Sequence, residues 1–164
     1  MSFWRAYYHL VWATRDRQPL INDQVERLLF PYLHKKAAEF RVITYAINAV
    51  PDHIHLVVAI PPRYSVAEVV KSLKGAGSHY LNQSGLPFEF HWQRGYGVFT
   101  LGERQRAAAE AYVNNQKDHH RSGTTNIWLE RADEIDEGPE PVAGPGLREP
   151  SPAYLTTDPE SPPF

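Results

Sequence analysis

Val42-Ile43-Thr44-Tyr45-Ala46-Ile47-Asn48-Ala49-Val50-Pro51-Asp52-His53-Ile54-His55-Leu56-Val57-Val58-Ala59-Ile60 decides the fold. Both halves are rich in apolar and β-branched residues, and Pro51-Asp52 between them is turn chemistry. The stretch therefore predicts two strands, 42–50 and 53–60, joined as a tight hairpin. Side chains alternate across a strand, so His53 and His55 leave one face together while Ile54 enters the core behind them.

Working outward, Phe3 to Ala13 has the aromatic and β-branched content of a first strand. Asn22 or Asp23 caps a helix running to about Phe40, with Val25, Leu28, Leu29, Tyr32 and Leu33 at helical spacing. After the hairpin, Pro61-Pro62 stops the strand and Ser65 caps a second helix carrying Val66, Val69, Val70 and Leu73. Gly75 and Gly77 interrupt its pattern, as a kink or as a place of close backbone approach. Gly95 to Thr100 predicts a fourth strand. The proline-free stretch from Leu101 onward, rich in strong helix formers, predicts a last helix through Tyr112. The order β-α-β-β-α-β is the ferredoxin-like split unit, an α+β fold. The expectation is a four-stranded antiparallel sheet with helices on one face, plus a C-terminal helix bearing Tyr112.

The chain of 164 residues suits one compact domain. It has no cysteine, which excludes disulfides and thiolate metal sites. No signal peptide or membrane span is expected, which points to a cytoplasmic protein, nucleoid-associated in use. The net charge of −2 is uneven: residues 1–121 carry +5 and residues 122–164 carry −7. Eight of the 14 prolines lie from Pro139 onward. Acidic, proline-rich sequence buries too little surface to offset its ordering entropy. The expected organisation is thus a folded, mildly basic domain over 1–121 and a largely disordered tail over 122–164, whose plainest role is to aid solubility. A basic surface suits a nucleic-acid partner without requiring one.

Two imidazoles on one rigid face form a half-site for a divalent metal. On its own, such a triplet is more often a polar sheet face. The later run Tyr112-Val113-Asn114-Asn115-Gln116, followed by His119-His120, puts a phenol and a carboxamide four residues apart on one helix face. Alone, that pair fits a core tyrosine with a solvated glutamine. Together the two motifs suggest a metal site beside a tyrosine nucleophile.

With Trp92-Gln93-Arg94-Gly95-Tyr96-Gly97 between them, and with the opening run from Tyr7 to Leu20, these motifs resemble the single-tyrosine HUH transposases. That family comprises the insertion-sequence-200-like enzymes and the REP-associated tyrosine transposases. The resemblance spans roughly residues 3–121. It implies a metal-dependent single-stranded DNA transposase that cleaves and rejoins DNA at hairpin-flanked sites, through a 5′-phosphotyrosine intermediate. It implies Tyr112 as nucleophile, His53, His55 and Gln116 as metal ligands, Mg²⁺ or Mn²⁺ as cofactor, and a homodimer in which the tyrosine helix can serve the partner's histidines. No nucleotide cofactor is expected. Arg63, Lys71, Lys74, Trp92, Arg94, Tyr96, His119 and His120 are the candidates for DNA contact. For the two aromatics, core packing is as good a reading, and for the His119-His120 pair, favourable placement at a helix C-terminus. The alternative function is a non-catalytic or domesticated DNA-hairpin-binding protein. The chain departs from the family pattern past His120, where relatives continue with a charged helical extension.

Overall fold

A computed structural model describes residues 2–127 and 129–132. The expected tail from residue 133 onward lies outside the described residues. Elements follow in the order β1 (Tyr7–Ala13), a short 3₁₀ turn at Arg15–Arg17, α1 (Asp23–Glu39), β2 (Ile43–Val50), β3 (His53–Ala59), α2 (Val66–Asn82), β4 (Gly97–Leu101), α3 (Glu103–Asn114) and α4 (Gln116–Ser122). The four strands form one antiparallel sheet in the order β2-β3-β1-β4, the ferredoxin-like arrangement. β3 is thus an interior strand, paired on both edges.

Period-two alternation divides the sheet. Leu10, Trp12, Ile54, Leu56 and Val58 point to one face and join Val25, Leu29 and Leu33 of α1 and Val69, Val70 and Leu73 of α2 in the main core. Tyr7, Val57, Ala59 and Leu101 point to the other face and pack under Ala109 and Val113 of α3. The sheet is therefore covered on both faces: α1 and α2 on one, α3 on the other.

Local chemistry sets the ends. The Asn22 side chain accepts from the Val25 amide at 3.0 Å, and Ser65 accepts from the Glu68 amide at 3.1 Å, so each satisfies an orphan N–H at its helix start. β1 begins at Tyr7 rather than Phe3, a residue 85 % exposed whose ring lies under the Arg5 guanidinium and outside the core. α2 runs unbroken through both glycines. Gly77 is there because α1 lies close: a Cβ at that position would stand 3.2 Å from Leu29 and Leu33 side-chain carbons. Gly75 faces open space.

The last helix differs from the expectation in one respect that bears on function. It is two helices, divided at Asn115 (φ −96°, ψ 12°), so Tyr112 ends α3 while Gln116 begins α4. The break still leaves the two side chains together, each bonded to the same oxygen of Glu130. Asn48 of β2 fixes the break by donating to the carbonyls of Val113 and Asn114 at 2.9 and 3.1 Å. Beyond α4 the chain does not leave the domain at residue 121. Asn126, Leu129 and Ala132 are buried, and the last of these packs with Val11 and Ala13 on the α3 side of the sheet.

Candidate metal and nucleophile site

The hairpin turn is two residues long, so β3 starts at once with His53, and both imidazoles stand on the α3 face of an interior strand. His53 and His55 are buried, with ring centroids 4.9 Å apart. Each has its outer ring nitrogen held. His53 Nδ1 lies 2.6 Å from Asp52 Oδ1, and that carboxylate is steadied by Arg17 at 3.5 Å. His55 Nδ1 lies 2.9 Å from Nε2 of His9, a wholly buried residue of β1 on the same face. Orientation of a ligand imidazole through its second nitrogen is the usual support of a metal site. For His55 Nε2 to present a lone pair, its proton must sit on Nδ1 and be donated to His9.

Tyr112 approaches from α3. Its ring stacks on His119 with centroids 4.6 Å apart and meets His9 edge-on. The residue that joins these groups is Glu130, on the strap after α4. Its Oε2 lies 2.5 Å from His53 Nε2, 3.3 Å from His55 Nε2 and 3.1 Å from His120 Nε2. Its Oε1 accepts from the Tyr112 hydroxyl at 3.0 Å and from Gln116 Nε2 at 2.8 Å. The Tyr112 oxygen in turn accepts from the Asn126 amide at 3.0 Å.

The electrostatics follow from this crowding. Burial alone would push the Glu130 carboxyl up, but the hydrogen bond from His53 and the nearness of His55 outweigh it and hold the carboxyl well below the usual range. Burial would pull His53 down, yet its bonds to Asp52 and Glu130 raise it. His55 and His9 are lowered by burial and stay neutral. Burial, and then the Glu130 charge, push the Tyr112 phenol far above its ordinary value. At neutral pH the phenol is protonated.

His53, His55, His120 and Glu130 offer three imidazole nitrogens and one carboxylate oxygen, all within 4.8 Å of one another. Two polar atoms here are buried and poorly satisfied: Gln116 Oε1 has no hydrogen-bond partner, and His55 Nε2 has the Glu130 oxygen 3.3 Å away, outside good hydrogen-bond geometry. The donor set and the poorly satisfied Nε2 of His55 fit a divalent cation.

The other sequence candidates do not gather in one place. Arg63, Lys71 and Arg94 are exposed, with Arg63 lying over the Tyr64 ring at 4.8 Å. Lys74 donates to the carbonyls of Gln93 and Gly95 at 2.7 and 2.6 Å, pinning the loop before β4. Trp92 is in the core, edge-on to Trp12 and Phe90, and Tyr96 packs partly buried against that core. His120 joins the metal cluster, and His119 Nδ1 pairs with the Thr124 hydroxyl at 3.0 Å. A cleft of about 1130 Å³ opens beside His120, with Arg17, Asp52, Lys117 and Arg121 on its walls.

Glu130 and His9 are site residues that sequence reasoning missed. His9 was findable: it shares a strand face with Tyr7 and Val11. Glu130 opens a run of acidic charge, and its only local signal is the apolar Ile127-Trp128-Leu129 before it.

The fold is a four-stranded ferredoxin-like sheet carrying paired histidines on an interior strand, faced by a tyrosine of α3. The family described as "Transposase IS200 like" matches residues 2–116, and this chain belongs to it. Similarity extends to the ISDra2 transposase TnpA of Deinococcus radiodurans, 27% identical over 117 residues covering 68% of this chain and 84% of that one. It extends also to the transposase for insertion sequence element IS200 of Salmonella typhimurium, 29% identical over 126 residues covering 73% and 82%. Among solved structures, a candidate transposase from Deinococcus radiodurans R1 superposes with a TM-score of 0.57 at 28% identity, over 71% of this chain and 95% of that one. A REP-associated tyrosine transposase bound to a REP hairpin superposes at 0.54 over 87% and 100%, at 16% identity, and shares the fold.

Proposed function

We propose that this transposase cleaves and rejoins single-stranded DNA at hairpin-flanked sites, with Tyr112 as nucleophile and His53 and His55 holding a divalent cation. The observation that carries this reading is the meeting of Tyr112 with the two histidines around one carboxylate, within a single chain. Gln116, adjoining the same carboxylate, would complete the ligand set through its amide oxygen. Mg²⁺ or Mn²⁺ bound there would act as Lewis acid on the scissile phosphate.

The protein's own part is positional. Interior-strand placement fixes both imidazoles, Asp52 and His9 fix their rings, and His119 with the Asn126 amide fixes the phenol. Holding nucleophile and phosphorus in line supplies about 7–11 kcal/mol of the barrier reduction. Tyr112 Oη forms a bond to phosphorus, and the bond from phosphorus to the 3′ oxygen breaks. The phenol gives up its proton and the 3′ oxygen gains one, leaving a 5′-phosphotyrosine and a free 3′-OH. The ester retains the phosphodiester energy, so a second strand is joined without a nucleotide cofactor. The strand enters along the cleft past Arg17, Lys117 and Arg121, whose cations meet phosphates; Arg63, Lys71 and Arg94, exposed away from the cleft, are further candidates for backbone contact. A homodimer and a cytoplasmic, nucleoid-associated site of action belong to the same reading. Among the described residues no helix is long and apolar enough to cross a membrane.

The test is denaturing electrophoresis of the protein with labelled single-stranded hairpin DNA and Mn²⁺ or Mg²⁺, beside Tyr112→Phe. A metal-dependent covalent adduct that the variant lacks is expected. Retained DNA binding with no adduct across a panel of hairpins would move the protein to the non-catalytic, hairpin-binding reading.

A further inference from the structure

We infer that the DNA-free protein holds its cation on a second ligand set, His53, His55, His120 and Glu130, in which Glu130 stands where the Gln116 amide oxygen would otherwise serve. The inference rests on the proposed metal role of His53 and His55 and adds the strap to it.

Three observations carry it. The first is spacing. Ligand atoms about 2.1 Å from an ion, at tetrahedral or octahedral angles, lie roughly 3.0–3.4 Å from their neighbours. Glu130 Oε2 is 2.5, 3.3 and 3.1 Å from the Nε2 atoms of His53, His55 and His120. Two of the three separations match what a shared cation imposes, and the third is a charge-assisted hydrogen bond that a cation replacing its proton would open by about half an ångström.

The second is the orientation of Gln116. Its Nε2 donates to Glu130 Oε1, so the nitrogen end faces the carboxylate and the Oε1 atom, buried and unpartnered, does not take part. An amide nitrogen is no ligand. With Glu130 in place, Gln116 therefore acts by holding that carboxylate, and the oxygen donor is Glu130.

The third is how firmly the strap is seated. Arg17 donates to the Glu130 carbonyl at 3.2 Å, Leu129 on one side is buried, and Ala132 is buried two residues on. Gly97 gives passage to the strap's backbone: a Cβ there would sit 2.1 Å from the Arg131 carbonyl oxygen. Glu130 is delivered to the histidines by packing on either side of it.

Three imidazoles and one carboxylate favour a borderline ion over a hard one. The DNA-free site takes Zn²⁺ or Mn²⁺ in preference to Mg²⁺. Incoming phosphate oxygens must then displace Glu130 Oε2, and Gln116, released from it, is free to present its oxygen.

The experiment is calorimetric titration of the chelator-treated full chain, without DNA, with Mn²⁺, Zn²⁺ and Mg²⁺ separately. Wild type is compared with Glu130→Gln, His120→Ala and His53→Ala, each first shown to unfold cooperatively. Expected are one site per chain for Mn²⁺ and Zn²⁺, little heat with Mg²⁺, and affinity for Mn²⁺ and Zn²⁺ lowered about 10–100-fold, the range seen for weakened metal-site support, in both strap-side variants. His120→Ala removes a partly exposed side chain, so its result stands even if Glu130→Gln loosens the strap. Wild-type affinity in both variants, with binding lost in His53→Ala, would overturn this ligand set and leave the proposed function intact. Absence of binding to the wild type, or binding indifferent to His53→Ala, would overturn the metal role of the histidines itself.

Discussion

Adding one methyl group at Gly97 and one at Gly75 should move stability in opposite directions, and the reason lies in what each would meet. At Gly97 on β4 a Cβ would stand 2.1 Å from the Arg131 carbonyl oxygen and 2.6 Å from Val11 Cγ1, where ordinary contact begins near 3.4 Å. Val11 is wholly buried opposite Gly97 in the β1–β4 pairing and cannot retreat. The strap must shift by about 1 Å. If it stays, overpacking costs about 1–3 kcal/mol. If it detaches, exposing Leu129 alone costs about 1.5–3 kcal/mol. Both routes lead to a similar loss. At Gly75, inside α2 with nothing within 4 Å, alanine gains about 0.8–1 kcal/mol of helix propensity. The assay is urea unfolding of wild type, Gly97→Ala and Gly75→Ala. At a slope of about 2 kcal/mol/M, the first variant's midpoint falls by roughly 0.5–1.5 M and the second's rises by roughly 0.4–0.5 M. Amide exchange of Asn126 and Leu129 should quicken only in Gly97→Ala, because those two N–H groups are bonded to Tyr112 Oη and the Asn126 carbonyl. A Gly97→Ala protein as stable as wild type, with both amides still protected, would refute the packing of the strap on β4.

Other consequences are measurable on the same protein. His9→Ala should weaken Mn²⁺ binding about 10–100-fold in titration, because it frees the ring of His55, while the exposed Arg94→Ala leaves it unchanged. Tyr112→Phe should cost about 1–3 kcal/mol in urea unfolding, since it strips the Asn126 amide and Glu130 Oε1 of a partner at once. In chelator, acid should loosen the site: a carboxyl whose folded value is depressed contributes fully above its unfolded value of 4.5, and that contribution falls as pH drops below it. Glu130→Gln should flatten this arm of the stability profile. On the alkaline side His53, whose value is raised, stabilises fully below 6.5 and loses that contribution as pH rises through its folded value. An asparagine at Asp52 should blunt that second slope, read by urea unfolding at pH 6 and pH 9.

What the sequence made legible was whatever repeats locally. A period of two put His53 and His55 on one face and Ile54 behind them, and Pro51-Asp52 set the hairpin, because both depend only on neighbours in the chain. The ends of α1 and α2 were legible at Asn22 and Ser65 for the same reason. The break at Asn115 was not. Its cause is Asn48, 65 and 66 residues away from the carbonyls it caps, and the weak helix formers Asn114-Asn115 are the local trace it leaves. Gly77 shows the same limit. The residue is an interruption in a linear pattern and a close contact in space, and only the position of α1 decides between them.

Glu130 is the sharper case, because composition pointed the wrong way. It opens a run in which acidic residues and prolines predict solvation, and a boundary at residue 121 separates it from the site. Its partner His53 is 77 residues distant. Yet the physics that anchors it is ordinary. Leu129 and Ala132 find an uncovered part of the α3 face beside Val11 and Ala13, and Gly97 leaves room for the backbone between them. Once that backbone is seated, the side chain at 130 has to meet whatever the strand face presents, which is a pair of histidines and the tyrosine set above them. A carboxylate there is costly unless charges or a cation balance it, since an unpaired buried charge is among the most destabilising groups in a protein. The glutamate is therefore tied to the histidines, which supply the charge balance its buried carboxylate needs. Fold and candidate site are stabilised by the same contact, so a change at either end will be felt at the other.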